Sequence, residues 1–198
     1  MTKQTVSIAL ETGFGTITID LDVRNAPLTA GNFLRYVDMG LYNGGIFHRV
    51  VTAENNANAN LKAEKIGSGI DPTADRRQLP NDAIAIEVIQ GGINPAKSDQ
   101  LAAPIPLERT SETGLLHRDG TISMARLTPD SAVSDFFICI NDQPSLDFGG
   151  MRNPDGQGFA AFGQVTAGMD IVRTIQHQPA DGQSLDPPVI IHSITRLP

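Results

Sequence analysis

The clearest structural signal in this chain is the segment VSIALETGFGTITIDL, residues 6–21. Apolar side chains occupy every second position on both sides of a glycine-containing turn at residues 11–15. The alternating apolar residues are Val6, Ile8 and Leu10 before the turn and Ile17, Ile19 and Leu21 after it. Such alternation, with turn glycines between the two runs, is typical of a β-hairpin that buries one face.

Outward from the hairpin, short β-rich runs recur along the chain and two segments have helical spacing. Further strands are predicted at residues 46–51, 84–90, 121–124, 136–140, 160–165 and 189–195. The first helix is predicted to begin near Pro27, whose missing N–H costs nothing in a first turn, and to end before Gly40. The second is predicted over about residues 167–176, where apolar residues share one face.

These segments amount to eight strands and two helices in a chain of 198 residues. Many short strands separated by glycine and proline turns indicate a β-sandwich or a β-barrel. Side chains fill the interior of a closed eight-stranded barrel, so we expect any active site to lie outside it. The length and the average composition predict one domain over residues 1–198.

Three long connections interrupt the pattern of strands, at residues 52–83, 94–120 and 147–158. The first is polar and contains the run NNANAN at residues 55–60. A structureless connection of this length is unusual in a compact domain, so we expect it to be functional, mobile or partly helical. One helical turn is predicted at residues 61–65.

Composition and charge argue against several classes of function. The net charge is −7, with 15 basic residues scattered among 22 acidic ones. Binding to a phosphate backbone needs clustered Lys and Arg, so no nucleic-acid partner is expected. No stretch approaches the roughly 18 apolar residues of a membrane span, and the start lacks a basic segment followed by an apolar one. We therefore expect no contact with a membrane, and we favour a cytoplasmic monomer.

The chain has few of the residues that form disulfides and metal sites, and it lacks the common nucleotide-binding and nucleophile motifs. Cys139 is the single cysteine and lies in the apolar run FFICI, where we expect a small buried hydrophobe. The four histidines are His48, His117, His177 and His192, and no two of them have helical or zinc-finger spacing. The Gly-x-Ser-x-Gly, Walker A and Gly-x-Gly-x-x-Gly motifs do not occur. We therefore expect no metal and no cofactor.

The run FHRVV, residues 47–51, places an arginine among apolar neighbours. Strict alternation would put Phe47, Arg49 and Val51 on the same face of a strand. The arginine is then either a surface side chain whose methylenes lie along the barrel wall or a functional group. The run alone leaves both interpretations open.

Five further motifs follow FHRVV in order along the chain. They are IQGG at 89–92, GTISMAR at 120–126, FFI at 136–138, FGQV at 162–165 and GMDIV at 168–172. From about Val6 to Ile194 the chain thus resembles the cyclophilin family of peptidyl-prolyl cis–trans isomerases, in a bacterial-like version. The resemblance implies a mainly β fold, a closed eight-stranded antiparallel barrel capped by two α-helices. It also implies catalysed rotation about Xaa-Pro bonds of extended segments bound in an outer groove, which assists protein folding.

The resemblance implies a role for particular residues. Arg49 matches the catalytic arginine, and Gln90 matches a glutamine that hydrogen-bonds near the substrate carbonyl. The other implied substrate-binding residues are Phe47, Val88, Ala125, Arg126, Leu127, Asp135, Phe137, Leu146 and Phe159. Within this set, Phe137 matches the floor of the proline pocket and Leu146 one of its walls. Residues 125–127 match the strand edge that pairs with the substrate backbone.

The sequence departs from the family pattern at several of these places. Glu87 and Val88 stand where many members have Phe-Met, and a carboxylate at Glu87 would be able to pair with Arg49. Asp135 replaces a glutamine. Ser145 replaces an aromatic residue that helps to hold cyclosporin. Two hypotheses follow: an active isomerase, and a non-catalytic interaction module that binds proline-containing segments or a partner protein through its loops.

Overall fold

The computed structural model describes residues 5–56 and 84–198 of the chain. The strands are β1 (Thr5–Thr12), β2 (Gly15–Asp22), β3 (Gly45–Val51), β4 (Val88–Gly92), β5 (Thr121–Met124), β6 (Phe136–Cys139), β7 (Ala160–Ala167), β8 (Ala180–Asp181) and β9 (Ser184–Arg196). The helices are α1 (Pro27–Asp38), α2 (Thr110–Thr113) and α3 (Met169–Gln176), with 3-10 turns at Pro95–Gln100 and Pro144–Leu146. The helical turn predicted at 61–65, like most of connection 52–83, lies outside the described residues.

The strands pair in the order β1-β2-β7-β5-β6-β4-β3-β9, and a further β1–β9 pairing closes the circle. Every one of these pairings is antiparallel. The two-residue β8 adds only a short hairpin to β9. The predicted eight-stranded antiparallel barrel is therefore confirmed.

The hairpin of β1 and β2 has the register that its alternation predicts. Ile8 pairs with Ile19 and Leu10 with Ile17, and all four side chains are fully buried. Burial of one such side chain stabilises the fold by about 1.5–3 kcal/mol. Aromatic rings fill the barrel interior beyond them, as in the edge-to-face contact of Phe33 with Phe136 at a centroid distance of 5.5 Å.

Helix α1 begins at Pro27 and ends before Gly40, which has a left-handed φ of +65°, as predicted. Its first turn has no local side-chain cap. The Glu108 carboxylate accepts hydrogen bonds from the backbone N–H groups of Leu28 at 3.1 Å and Thr29 at 2.8 Å. A negative charge there satisfies free N–H groups and interacts favourably with the helix dipole.

Helix α3 begins two residues later than predicted, at Met169. Ala167 still belongs to β7, and Gly168 turns the chain with a φ of +91°. A Cβ atom at Gly168 would lie 2.6 Å from the Thr16 carbonyl oxygen, so a side chain does not fit there. None of the helices in the two described ranges is long and apolar enough to cross a membrane.

Strand β4 is shorter at its start than the predicted strand over residues 84–90. The first hydrogen bond between this segment and the chain at the end of β6 is that of the Glu87 carbonyl, which accepts from the Ile140 N–H at 2.9 Å. Before that point Ile86 packs its side chain onto a separate apolar cluster. Strand β9 is longer than predicted, because its first residues also pair with β3 and β8.

Cys139 is fully buried in the barrel wall, as expected for a small hydrophobe. Burial raises the pKa of its thiol well above the ordinary value, and nearby aspartates, Asp147 foremost, add to the effect. The thiolate is the reactive form. We therefore expect the native protein not to react with a thiol-specific chromogenic reagent at mildly alkaline pH, and the denatured chain to react fully. Prompt reaction of the native protein would contradict this burial.

Candidate active site

A second apolar cluster lies on the outer face of the barrel, separate from the core. Its buried members are Val51, Ile86, Val88, Phe137, Cys139 and Leu146, with Ala125 and Phe159 packed against them. The cluster forms the base of an open cavity of about 430 Å³. Cavities of this size accommodate small ligands or a few side chains of a peptide. The cavity thus lies on the outer barrel wall, where the eight-stranded fold leaves room for a site.

Arg49 reaches this cavity because β3 contains a β-bulge. The pairing of β3 with β4 shifts register between Phe47, which faces Gly91, and Arg49, which faces Gln90, so that His48 is the extra residue. A bulge of this kind changes the side to which the following side chain points. Phe47 and Val50 therefore point into the barrel core, whereas Arg49 lines the cavity and Val51 packs in the outer cluster.

The position of Phe47 corrects two expectations. Its ring is fully buried and packs edge-to-face on Phe136 at 5.7 Å, so it has no surface with which to contact a substrate. It also does not share a face with Arg49, because strict alternation fails at the bulge. Phe47 instead belongs to the barrel core.

Two glutamines hold the guanidinium of Arg49. Its Nη1 donates to Gln90 Oε1 at 3.0 Å. Its Nε and Nη2 both donate to Gln183 Oε1, at 2.9 and 2.6 Å. Gln90 is the neighbour of Arg49 in the β3–β4 ladder, whereas Gln183 comes from the turn between β8 and β9. Sequence reasoning missed Gln183, because no local pattern links it to a residue 134 positions away.

The floor of the cavity is the ring of Phe137, which neighbouring rings hold on two sides. Phe159 meets it edge-to-face at 5.6 Å, and His117 stacks on it at 6.0 Å. His117 contacts Asp147 through Nδ1 at 2.7 Å and Ser123 through Nε2 at 2.9 Å. The Ser123 hydroxyl is fully buried, so this Ser-His-Asp set orients a ring and does not supply a nucleophile to the cavity.

The connection between the Pro144–Leu146 turn and β7 forms one wall of the cavity. Arg126, whose side chain is 1% exposed, donates to Asp155 through Nη1 at 2.7 Å and Nη2 at 2.9 Å. Its Nε donates to the Gly158 carbonyl at 2.7 Å, and its guanidinium lies 4.9 Å from the centre of the Phe159 ring. Arg152 and Asn153 of the same connection also line the cavity. The wall is thus attached to the end of β5 by a buried cation.

Comparison with known proteins agrees with this architecture. Residues 7–196 match the family model described as "Cyclophilin type peptidyl-prolyl cis-trans isomerase/CLD". The chain belongs to the cyclophilin family. The predicted activity, cis–trans isomerisation of Xaa-Pro peptide bonds, is thereby confirmed at the level of the family.

Two bacterial relatives illustrate the similarity in sequence. A peptidyl-prolyl cis-trans isomerase of Acinetobacter baylyi is 32% identical over 173 residues, which cover 87% of this chain and 72% of the relative. Peptidyl-prolyl cis-trans isomerase B of Escherichia coli is 31% identical over 194 residues, which cover 95% of this chain and 98% of the relative.

The fold is also that of solved cyclophilin structures. The crystal structure of a cyclophilin-type isomerase from Cryptosporidium parvum superposes with a TM-score of 0.69 at 20% identity and covers 98% of both chains. A second crystal structure of that protein, in the presence of the dipeptide Ala-Pro, gives the same TM-score and identity and covers 97% of this chain and 99% of the other. At this identity the comparison supports the fold alone.

Apart from Phe47, all ten residues that the cyclophilin resemblance implied for the site line the cavity. They are Arg49, Val88, Gln90, Ala125, Arg126, Leu127, Asp135, Phe137, Leu146 and Phe159. The structure adds six residues to the same lining: Ile86, Ser131, Val133, Ser134, Arg152 and Asn153. Among residues 5–56 and 84–198, no three His, Cys, Asp or Glu side chains come together as a metal site.

Arg126 and Leu127, two of the cavity-lining residues, have contacts that the sequence did not predict. The side chain of Arg126 is buried in its ion pair, so it acts on the cavity by holding the wall. The backbone of Leu127 already has partners, because its N–H donates to Ser131 Oγ at 3.1 Å and its carbonyl accepts from Asn153 Nδ2 at 3.1 Å. Strand β5 ends at Met124, before the edge predicted at residues 125–127.

The substitutions that distinguish this cyclophilin leave the cavity open. Glu87 does not pair with Arg49 in the described structure; its carboxylate accepts a hydrogen bond from Asn141 Nδ2 at 2.9 Å. Asp135 lines the cavity and contacts His48 Nε2 at 3.1 Å. Ser145 is not among the described residues that line the cavity.

Asp155→Asn is expected to lower the free energy of unfolding by about 1–3 kcal/mol at neutral pH, because it leaves the buried Arg126 without its charged partner. Burial is the largest single effect and opposes ionisation of Asp155. The hydrogen bonds from Arg126 and the Gln157 N–H, together with the charges of Arg126 and Arg109, outweigh it and lower the pKa of this carboxyl. The stabilisation is therefore complete above the unfolded-state pKa and is lost as the pH falls through the lower folded-state pKa. Chemical denaturation of wild type and variant as a function of pH measures both effects.

Asp38→Asn provides the matched control for the Asp155 variant. Asp38 forms a similar bidentate pair with Arg196, but both side chains are more than 40% exposed. An exposed pair contributes about 0–1 kcal/mol. If both variants lose the same free energy of unfolding, burial of Arg126 does not make its ion pair more stabilising than an exposed one.

Proposed function

We propose that this cyclophilin catalyses Xaa-Pro isomerisation at the cavity over Phe137, with Arg49 as the catalytic residue. The observation that carries the proposal is the position of the guanidinium. It lies at the rim of an apolar pocket, and two glutamines hold it there. This arrangement supplies a hydrogen-bond donor beside a surface suited to a proline ring.

The chemistry requires no bond to be made or broken. Resonance gives the peptide C–N bond partial double-bond character and a rotation barrier of about 18–20 kcal/mol. As the bond twists, the resonance is lost and a lone pair localises on the proline nitrogen. A guanidinium N–H donates well to that nitrogen only in the twisted state, so the interaction stabilises the transition state selectively.

The apolar pocket strengthens this interaction. Phe137, Leu146 and Val88 are nearly fully buried and present carbon atoms to the cavity. A proline ring bound there would displace water from the amide, and a charge-assisted hydrogen bond is stronger in a drier site. A thousandfold acceleration corresponds to about 4 kcal/mol, which is within reach of one such donor and the pocket together.

Gln90 has a complementary role in this proposal. Its Oε1 accepts from Arg49 Nη1, which directs the amide so that its NH₂ group is the part it offers to a peptide. An NH₂ group donates to a carbonyl oxygen. We propose that Gln90 binds the substrate carbonyl and aligns the amide with Arg49.

Exchange NMR on a short Ala-Pro-Phe peptide tests the function directly. It measures cis–trans interconversion without a coupling protease. We expect catalytic amounts of the folded protein to bring the exchange from the uncatalysed tens to hundreds of seconds into a much faster regime. A folded protein that binds the peptide without accelerating its exchange would instead support the hypothesis of a non-catalytic interaction module.

We further propose that the chain acts as a monomer in the cytoplasm. The barrel closes on itself within one chain, so that its eight strands all have partners on both sides. A closed barrel needs no second copy to cover an edge. The fold uses its single cysteine as a buried hydrophobe, which suits a reducing compartment. Light scattering of the purified chain and cell fractionation would test the two parts separately.

A further inference from the structure

The catalytic guanidinium is attached to a part of the fold that the proposed reaction does not use. Gln183 Oε1 accepts two hydrogen bonds from Arg49, from Nε and Nη2. These two N–H groups form one edge of the planar guanidinium, and binding one oxygen to both of them fixes the plane of the group. Gln90 Oε1 accepts a hydrogen bond from Nη1 and so holds another side of the guanidinium.

The amide of Gln183 has only one orientation that fits its surroundings. Its Nε2 donates to the Asn55 carbonyl at 3.1 Å, so its oxygen faces Arg49. Its backbone carbonyl accepts from the Val50 N–H at 2.9 Å, which places the residue directly beside β3. Both ends of Gln183 are therefore held before any substrate arrives.

Asn55 is held in turn by a network at the root of connection 52–83. Its Oδ1 accepts from the Thr52 N–H at 2.7 Å. Its Nδ2 donates to the carbonyls of Val50 and Gly182, both at 3.1 Å. The start of the connection is thereby attached to the β8–β9 turn. The Asn55 carbonyl orients the side-chain amide of Gln183, and that amide in turn orients Arg49.

We infer that Gln183 is a positioning residue for Arg49 and that Asn55 holds it in place. The inference rests on the proposed function, in which Arg49 donates to the twisting amide. An arginine side chain has four rotatable bonds, and an acceptor that binds two of its N–H groups removes much of that freedom before the transition state is reached. A misplacement of about 1 Å in a catalytic group is able to cost on the order of a hundredfold in rate.

Gln183→Leu is the main test, because it removes the acceptor and keeps a side chain of comparable volume. We expect kcat to fall by roughly 10–100-fold with a smaller change in KM, since the loss is in alignment and not in peptide contact. A second readout does not depend on activity. The ¹H–¹⁵Nε resonance of Arg49 should shift and exchange faster with water in this variant. Gln183→Glu restores an acceptor and should recover a protected Nε–H.

Gln178→Leu is the matched control, because Gln178 is a glutamine five positions before Gln183 in the chain and its amide donates only to the Thr174 carbonyl in the described structure. It should leave both the rate and the Arg49 resonance unchanged. Asn55→Ala is a second variant that tests the same network without altering Gln183, and it should shift the same resonance in the same direction. It keeps the inference falsifiable if Gln183→Leu does not fold.

Two outcomes separate failure of this inference from failure of the proposed function. If Arg49→Ala loses most of the activity while Gln183→Leu keeps full activity and an unchanged Arg49 resonance, Gln183 does not position Arg49 and the inference is wrong. If Arg49→Ala itself keeps full activity, the assignment of Arg49 is wrong and the inference falls with it. In the Arg49→Ala background, a further large loss on adding Gln183→Leu would also overturn the inference, because Gln183 would then act independently of Arg49.

Discussion

Arg49→Ala is expected to lower kcat/KM for an Ala-Pro-Phe peptide by about 10²–10³-fold, with most of the loss in kcat. Removing one donor that serves the transition state costs about 3–4 kcal/mol in comparable enzyme sites. In the proposed mechanism Arg49 donates mainly to a nitrogen that becomes basic only as the amide twists, so ground-state binding of the peptide should change much less. Exchange NMR gives the rate, and peptide titration under the same conditions gives the affinity.

The fold should survive this substitution, because Arg49 is only half-buried and lies outside the barrel core. Arg118→Ala is a suitable control: its side chain is 62% exposed and pairs with Asp142 away from the cavity. Arg49→Lys should recover little activity, since an ammonium group does not reproduce the two-sided contacts with Gln90 and Gln183. Equal losses of affinity and turnover would identify Arg49 as a ground-state anchor instead.

Phe137→Ala is expected to reduce both stability and activity. Truncating a buried phenylalanine costs about 3–5 kcal/mol, and we expect the lower part of this range because one face of Phe137 borders an open cavity. The variant would lose the edge-to-face contact with Phe159 and the stacking on His117. The peptide would lose the apolar floor for its proline ring, which should raise KM and lower kcat together.

Chemical denaturation and exchange NMR on the same sample measure the two effects of Phe137→Ala. Phe14→Ala is the control for loss of an aromatic side chain, because Phe14 is 43% exposed in the β1–β2 turn; we expect it to cost about 1 kcal/mol or less. Phe137→Leu should recover part of both properties by refilling the floor. A Phe137→Ala variant that is destabilised but fully active would show that the proline ring binds elsewhere.

Local patterns in the sequence were sufficient for the elements whose interactions are local. The β1–β2 hairpin followed from alternation around a short turn, and α1 followed from Pro27 at its start and Gly40 after its end. Helix α3 begins two residues later than predicted because Gly168 has a left-handed φ. The Thr16 carbonyl of strand β2 occupies the place of a Cβ atom there, so only glycine fits. A periodic pattern carries no information about that approach.

The candidate site was predictable as a set of residues but not as an arrangement. Ordered motifs and a family resemblance pointed to Arg49, Gln90 and Phe137, which the fold brings to one cavity. The β-bulge at His48 was not predictable, since a strand with an extra residue has the same composition as a regular one. That single residue decides that Arg49 faces the cavity while Phe47 belongs to the core.

The sequence by itself determined a mainly β fold, a sandwich or a barrel, because alternation and turn residues are local. Its ordered motifs carried the resemblance to the cyclophilins, which implied the closed antiparallel barrel and the residues able to carry the chemistry. Only the tertiary structure decided which partners orient those residues. Gln183 binds Arg49 across 134 positions, and Glu108 caps α1 from 79 positions away. Such hydrogen bonds form between groups that barrel closure brings within about 3 Å, and no separation along the chain encodes that distance.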